Sequence, residues 1–280
     1  MKLTRSGILL LIPAVAVFVA LLVGPIAIVF NESFKEFVPG RIGSATDAPY
    51  TLANYSELLA PAYGGFFLGT FQLGLVAAVI ALIVGFPIAY FVARMPAGWL
   101  RNLSVGFLIC MMFLSGLVRV YSLELTFGSV GALRPVIRFF EISPLSRDYI
   151  EWLVVLGLLH FIVPMATLTL VGTIQNVNPR LAEAAQALGA PRWKAHLSVT
   201  VPLSIRGLLS AFLITYTLSI SAFVVPMVLG KGKVVFVSNL IFSRFSEVAN
   251  YPSGAAISVI MLVVSLLVIY VISRFAVQRW

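Results

Sequence analysis

The sequence predicts an all-α membrane protein: six transmembrane helices, both termini in the cytoplasm, and a short cytoplasmic helix between helices 4 and 5. Three observations carry this. Hydrophobic residues make up 60% of the 280-residue chain and charged residues 10%, with a mean hydropathy of +1.05; soluble domains carry about 25% charged residues. Six apolar stretches, near 8–30, 66–93, 102–121, 152–174, 203–225 and 254–273, are long enough to cross a bilayer as helices with their backbone groups satisfied internally. Charge then sorts by side. Lys2, Arg5, Arg94, Arg101, Arg180, Arg192, Lys194, Arg206, Arg274 and Arg279 fall on one face against Glu183 alone. Lys35, Arg41, Arg119, Arg134, Arg138, Arg147, Lys231, Lys233 and Arg244 fall on the other, where nine carboxylates cancel them. The whole net charge of +9 therefore marks a cytoplasmic face rather than a nucleic-acid site. The chain reads as one transmembrane domain over 1–280, with 1–65 giving the first helix plus an outer loop and 66–275 a five-helix core containing a 176–203 loop.

The first stretch follows Lys2 and Arg5 and outlasts the apolar core of about 7–15 residues expected of a signal peptide. It reads as an uncleaved helix, with Pro13 and Gly24-Pro25 as tolerated kink points. Residues 31–65 are polar and rich in turn formers, so they belong outside. The segment 51–59 suits a short interfacial helix with Tyr55 near headgroup depth. The second span carries Gly64, Gly65, Gly69, Gly74 and Gly85, which let helices approach closely, and ends in the basic turn 94–101. The third reaches Arg119, Tyr121 and Glu124; an arginine near a span end either snorkels to the interface or pairs inside a cavity. An outer segment follows, with a re-entrant or interfacial helix at 131–140. The fourth span holds His160 and Pro164, and a histidine at that depth suits hydrogen bonding to other helices.

The 176–203 loop is the most informative stretch. Asn178 is a good N-cap, Pro179 fits the first helical position, and Gly189 supplies a left-handed stop, so 179–188 is a helix of about ten residues. That is too short to cross a bilayer. Leu181, Ala184, Ala185 and Leu188 share one face at i, i+3, i+4, i+7, with Arg180, Glu183 and Gln186 off it. Such a small apolar stripe suits docking into a groove on another protein, or lying on the membrane surface. Pro191 opens a second short turn. The fifth span carries Thr215, Tyr216, Thr217, Ser219 and Ser221 near mid-bilayer; this band either lines a water-filled route or hydrogen-bonds its own helix.

Other chemistries find no support. Cys110 is single, so no internal disulfide forms. His160 and His196 lack neighbours at metal-ligand spacing, and no metal site is expected. Gly230, Lys231, Gly232 and Lys233 do not complete a phosphate loop, because Met227 stands where its first glycine belongs and Val234 replaces the Ser or Thr. The chain is expected to be no enzyme and to bind no nucleotide itself.

Glu183-Ala184-Ala185, three residues, Gly189, nine residues, then Val199-x-Val201-Pro202 resembles the cytoplasmic EAA loop of type I binding-protein-dependent ABC importer permeases. That loop is written E-A-A-x3-G-x9-I-x-L-P; valine stands here for the isoleucine and leucine, a change of size and not of character. The resemblance implies that 179–188 is a coupling helix seated in a cleft of a separate ATPase subunit. Arg180, Glu183, Ala184, Ala185, Leu188, Gly189 and Arg192 are then the residues that meet it. It also implies a second permease subunit, homologous or identical, two ATPase subunits holding ATP and Mg, a periplasmic solute-binding protein, and the bacterial inner membrane as location. The stretches 52–59 and 85–94 and the Arg119 region resemble spermidine/putrescine-type permeases, a subgroup that extends to opines and other amines. Under that resemblance Arg119, Tyr121, Glu124, Thr215, Tyr216, Ser219 and Ser221 are candidates for the pathway or its gate. A secondary carrier or channel without an ATPase is the competing reading, disfavoured because no carboxylate lies in the middle of any span. A scaffold that only recruits a cytoplasmic partner leaves the 215–221 band unexplained.

Overall fold

The structure, a computed structural model, describes residues 5–40, 44 and 48–277. Lys2, Arg41, Asp47 and Arg279, used above in the charge argument, lie outside the described residues. In chain order α1 is Arg5–Glu32, α2 Ala53–Glu57, α3 Pro61–Arg94, α4 Trp99–Phe113, α5 Gly116–Phe127, α6 Arg134–Phe139, α7 Arg147–Gln175, α8 Arg180–Ala187 and α9 Arg192–Ala195. Five π-helical residues, His196–Thr200, lead into α10 (Val201–Leu203) and α11 (Ile205–Ile220). Then come α12 (Val224–Leu229), α13 (Val237–Phe242), a π segment Ser243–Glu247, and α14 (Tyr251–Val277). The only strand-like pairing among the described residues is an isolated antiparallel bridge between Lys35 and Tyr50.

Among the described residues four helices are long and apolar enough to cross a membrane: α1, α3, α7 and α14. The third and fifth expected spans are not single helices. α4 and α5 meet at 90° across Leu114 and Ser115, and Arg192–Leu203 meets α11 at 74°. Counting each bent pair as one span brings the number to six. Both bends have local causes. Leu114 and Ser115 adopt extended backbone (ψ 134° and 128°) just before Gly116, at a Ser-Gly pair of the kind that kinks helices. Pro202 has no N–H to give the preceding turn and crowds its carbonyls, so the helix widens to a π turn before it and breaks at Ser204 after it. Pro13 and Pro25, by contrast, sit inside a continuous α1.

Two compact units are distinguished. One comprises the described residues through Gly65 together with Asn239–Leu267. In it the Asn54 amide donates to the carbonyls of Ser33 and Lys35 at 3.0 and 2.9 Å, tying α2 to the end of α1. Arg244 binds the Glu57 carboxylate at 2.9 Å and also donates to the Tyr63 hydroxyl. Along α1, Phe18, Leu21 and Ile28 stay exposed, as an unshielded apolar helix does when its solvent is lipid.

The other unit, Phe66–Ser238 with the residues from Val268 onward, is built around α7. Ile150, Val154, Leu158, Ile162 and Ala166 pack with Ala77 and Ala81 of α3 and with Val225 and Leu229 of α12. Ser146 caps α7 through the Tyr149 N–H, and Asp148 sits in its first turn, where the helix dipole favours an anion. Close approach is set by absent side chains. A Cβ on Gly157 would strike Leu229 and Val225, and one on Gly207 would overlap Thr173, whose own Cβ would lie 2.6 Å away and cannot be moved by a rotamer change. Gly207→Ala is therefore expected to destabilise the protein by about 1–3 kcal/mol through overpacking of α7 on α11. Gly172→Ala, with open space around it, should be neutral or stabilising by up to about 1 kcal/mol. Thermal unfolding of the two variants in detergent checks the contrast; equal melting points would refute it.

Candidate functional site

The 176–203 segment folds as its local chemistry dictates. The Asn178 side-chain oxygen accepts from the Arg180 N–H at 3.0 Å, capping α8. Gly189 ends it with φ +92°, a conformation costly for residues with a Cβ. The Ala190 N–H then reaches back to the Ala185 carbonyl and the Gly189 N–H to that of Gln186, at 3.1 and 2.9 Å, closing the last turn. α8 packs on α9 and the π segment, and Ala182 is the residue it buries. Consequently the expected stripe divides: Leu181, Ala184 and Leu188 are exposed, Leu188 by 90%, while Ala185 and Gln186 turn partly inward. Arg180, Glu183, Gly189 and Arg192 are exposed around that apolar knob. The helix thus offers a bare apolar face ringed by charge, without occupying it from its own chain.

The other candidates do not form one cluster. Arg119 is only 6% exposed, and its guanidinium binds backbone carbonyls: Leu114 from Nε and Nη2 (3.1 and 2.5 Å), Met112 from Nη2 (3.1 Å) and His160 from Nη1 (3.5 Å). It also lies 5.6 Å from the centre of the Phe161 ring. Glu124, five residues on, instead pairs with Lys231 at 2.9 Å, and Lys231 donates to the Ser129 hydroxyl. Tyr121 is exposed on another side of α5. On α11 the Thr215 hydroxyl donates to the Ala211 and Phe212 carbonyls and that of Ser219 to Thr215, so both buried hydroxyls are used by their own helix. The buried Tyr216 ring stacks on Phe212 at 5.7 Å, whereas Thr217 and Ser221 are exposed.

Several positions were not singled out by sequence reasoning. Lys231, set aside with the incomplete phosphate loop at 230–233, neutralises Glu124; complementary charge is its only signal in the sequence. Arg94 donates to the Val177 carbonyl at 2.7 Å, fixing the backbone just before the Asn178 cap. His196 sits edge-on to Tyr90 at 4.6 Å, with its ring nitrogen 3.3 Å from the Thr200 hydroxyl. Among the described residues no group of three or more His, Cys, Asp or Glu is placed to hold a metal ion.

Four likenesses to known proteins bear on this arrangement. The family model described as "Binding-protein-dependent transport system inner membrane component" matches residues 85–280. The chain is similar to the spermidine/putrescine transport system permease protein PotB of Escherichia coli (strain K12), 27% identical over 227 residues, covering 80% of this chain and 82% of PotB. It is also similar to the inner membrane ABC transporter permease protein YdcU of the same organism, 24% identical over 237 residues, 80% of this chain and 75% of YdcU. Among solved structures it superposes on a bacterial alginate ABC transporter in complex with an alginate pentasaccharide-bound periplasmic protein, with TM-score 0.74 and 15% identity over 95% of this chain and 92% of that one.

Proposed function

The chain belongs to the family of binding-protein-dependent transport system inner membrane components, multi-pass permeases of bacterial ABC importers, and from that premise we propose its cargo and its partners. The cargo is a polyamine or a related amine-bearing solute, carried from periplasm to cytoplasm; the likeness to PotB, a spermidine/putrescine permease, supports this. Each of the two bent helix pairs counts as one span, giving six spans with both termini and the α8 loop in the cytoplasm. Two separate ATPase subunits, which hold ATP and Mg, seat on α8 and its counterpart in a second permease subunit. A periplasmic binding protein delivers the solute.

One observation carries the coupling role: Leu181, Ala184 and Leu188 stand exposed on a helix too short to span and locked in place at both ends. Arg180, Glu183, Ala185, Gly189 and Arg192 complete that contact. ATP binding draws the ATPases together, moves the seated helices, and shifts the permease between inward- and outward-open states. The ATPases bias that equilibrium from one side and the loaded binding protein from the other. The exposed Thr217 and Ser221 of α11 and Tyr121 of α5 face the solute route. Thr215, Tyr216 and Ser219 stiffen the wall behind them, and Arg119 and Glu124 hold α5 at the route's edge.

Leu188→Glu tests the reading. Placing a carboxylate on the knob should reduce copurification of the ATPase subunits by about tenfold or more, a loss of roughly 1.4 kcal/mol. ATP-driven putrescine or spermidine uptake into proteoliposomes should fall with it. Wild-type ATPase recovery in that variant would remove α8 from the contact, and uptake without any nucleotide would favour a secondary carrier.

A further inference from the structure

We propose that the cavity of about 1040 Å³ between the end of α3, the start of α4 and the stretch from α9 to α10 is a binding site for one anionic phospholipid. Its walls are apolar and unshielded: Phe91, Trp99, Trp193 and Leu197 line it and are each more than half exposed. Two tryptophans at the mouth suit the depth of lipid headgroups, where their amphipathic rings prefer to sit. From that mouth the lining continues along α3 to Phe86, eight residues before Arg94, or about 12 Å at 1.5 Å per residue. That lies within the roughly 15 Å half-thickness of a bilayer's hydrocarbon core. A soluble protein cannot follow a groove into that layer, whereas an acyl chain fills it.

The charge at the mouth selects the lipid class. Arg94 lines the cavity, gives one N–H to the Val177 carbonyl and lies 5.7 Å from the Tyr90 ring centre; its Nε is buried with no hydrogen-bond partner. With Nε enclosed by protein, a headgroup meets the open part of this half-buried side chain, and a phosphate oxygen is the acceptor a guanidinium fits best. Neither segment that builds the cavity holds a carboxylate: the sequence has no Asp or Glu between Glu57 and Glu124 or between Glu183 and Glu247. Arg101, Arg192 and Lys194 flank the lining tryptophans, and none of them is in an ion pair among the described residues. Basic pockets between spans are the sites that take anionic headgroups. A lipid phosphate on Arg94 would stand one side chain away from Val177, and so from the cap that positions α8. The site rests on α3 crossing the membrane and is independent of whether α8 meets an ATPase.

The test uses the full transporter complex, stripped of lipid in detergent and titrated with palmitoyl-oleoyl phosphatidylglycerol or with phosphatidylcholine of the same chains. Native mass spectrometry should show phosphatidylglycerol retained at collision energies that remove phosphatidylcholine, with at least about a tenfold preference, roughly 1.4 kcal/mol. Arg94→Gln should lower the number of retained phosphatidylglycerol molecules by one per copy of this chain. Leu197→Trp, which fills the groove from an exposed position and spares the charge, should lose the same lipid. Equal retention of the two lipids by the wild type overturns the proposal, as does undiminished phosphatidylglycerol retention in either variant. Absence of any retained lipid, as when a helix of the second permease fills the groove, overturns it too.

Discussion

Gly189→Pro is expected to leave the permease in the membrane at near wild-type level and to reduce ATP-driven uptake by about a hundredfold. The observed φ of +92° is unreachable for proline, whose ring holds φ near −65°. The substitution also deletes the N–H that binds the Gln186 carbonyl at 2.9 Å. Forcing proline there costs about 3 kcal/mol or more, enough to depopulate the observed loop conformation by roughly two orders of magnitude. Insertion should be spared, because spans are specified by their own apolar length and not by this turn. Gly189→Asn is the matched control, since asparagine tolerates the left-handed region and keeps its N–H; it should retain most activity. Uptake and ATP hydrolysis by reconstituted complexes, with immunoblots of membrane fractions, separate the outcomes. If the proline variant transports normally, the α8 turn has no part in transmitting force.

Local rules explain why α8 was legible in the sequence. A cap at Asn178, a glycine at the stop and a four-residue apolar stripe act within one or two turns, so they survive folding unchanged. What the sequence could not show is which side of that stripe the chain itself would cover: Ala182, off the stripe, is buried, and Ala185, on it, is partly so. That choice is made by α9 and the π segment, which fold back on α8. Four of the six apolar runs were equally legible, as the long helices α1, α3, α7 and α14, because hydropathy reports composition and length. It carries no information on direction, and the 90° break at Leu114 and Ser115 passed unseen inside an apolar run. The second bend falls at Ser204, at the boundary already drawn between the 176–203 loop and the fifth span, and Pro202 is its cause.

Charged and polar partners divide in the same way. Thr215 and Ser219 donate to carbonyls four residues back, a local option weighed from the sequence beside the water-filled route. Glu124 and Lys231 meet across more than a hundred residues, which no spacing rule reveals. Arg119 was harder still. The nearest opposite charge in sequence, Glu124, lies at i+5, off its helical face, and the atoms it does bind are backbone oxygens that every residue carries.

Those oxygens have something in common, and it leads to the second large effect: Arg119→Met is expected to lower stability by about 3–5 kcal/mol, as removal of a buried hydrogen-bonded cation does. The break after α4 strips the Met112 and Leu114 carbonyls of the helical N–H groups that would have bound them. Pro164, lacking an N–H, leaves the His160 carbonyl four residues earlier in the same position. One guanidinium answers all three, with no carboxylate needed, because carbonyls left without an N–H, two of them at the α4 C-terminus, present partial negative charge. Arg119→Lys should recover only part of the loss, since a compact ammonium cannot reproduce the planar fork. The decisive measurement is a double-mutant cycle with Pro164→Ala, which restores an N–H to the His160 carbonyl. In that background the Arg119→Met penalty should shrink by about 1 kcal/mol, the worth of one hydrogen bond. Melting points in detergent read the cycle. An unchanged melting point for Arg119→Met combined with lost uptake would instead make Arg119 a gate residue, while a full penalty in the Pro164→Ala background would confine its work to the α4–α5 bend.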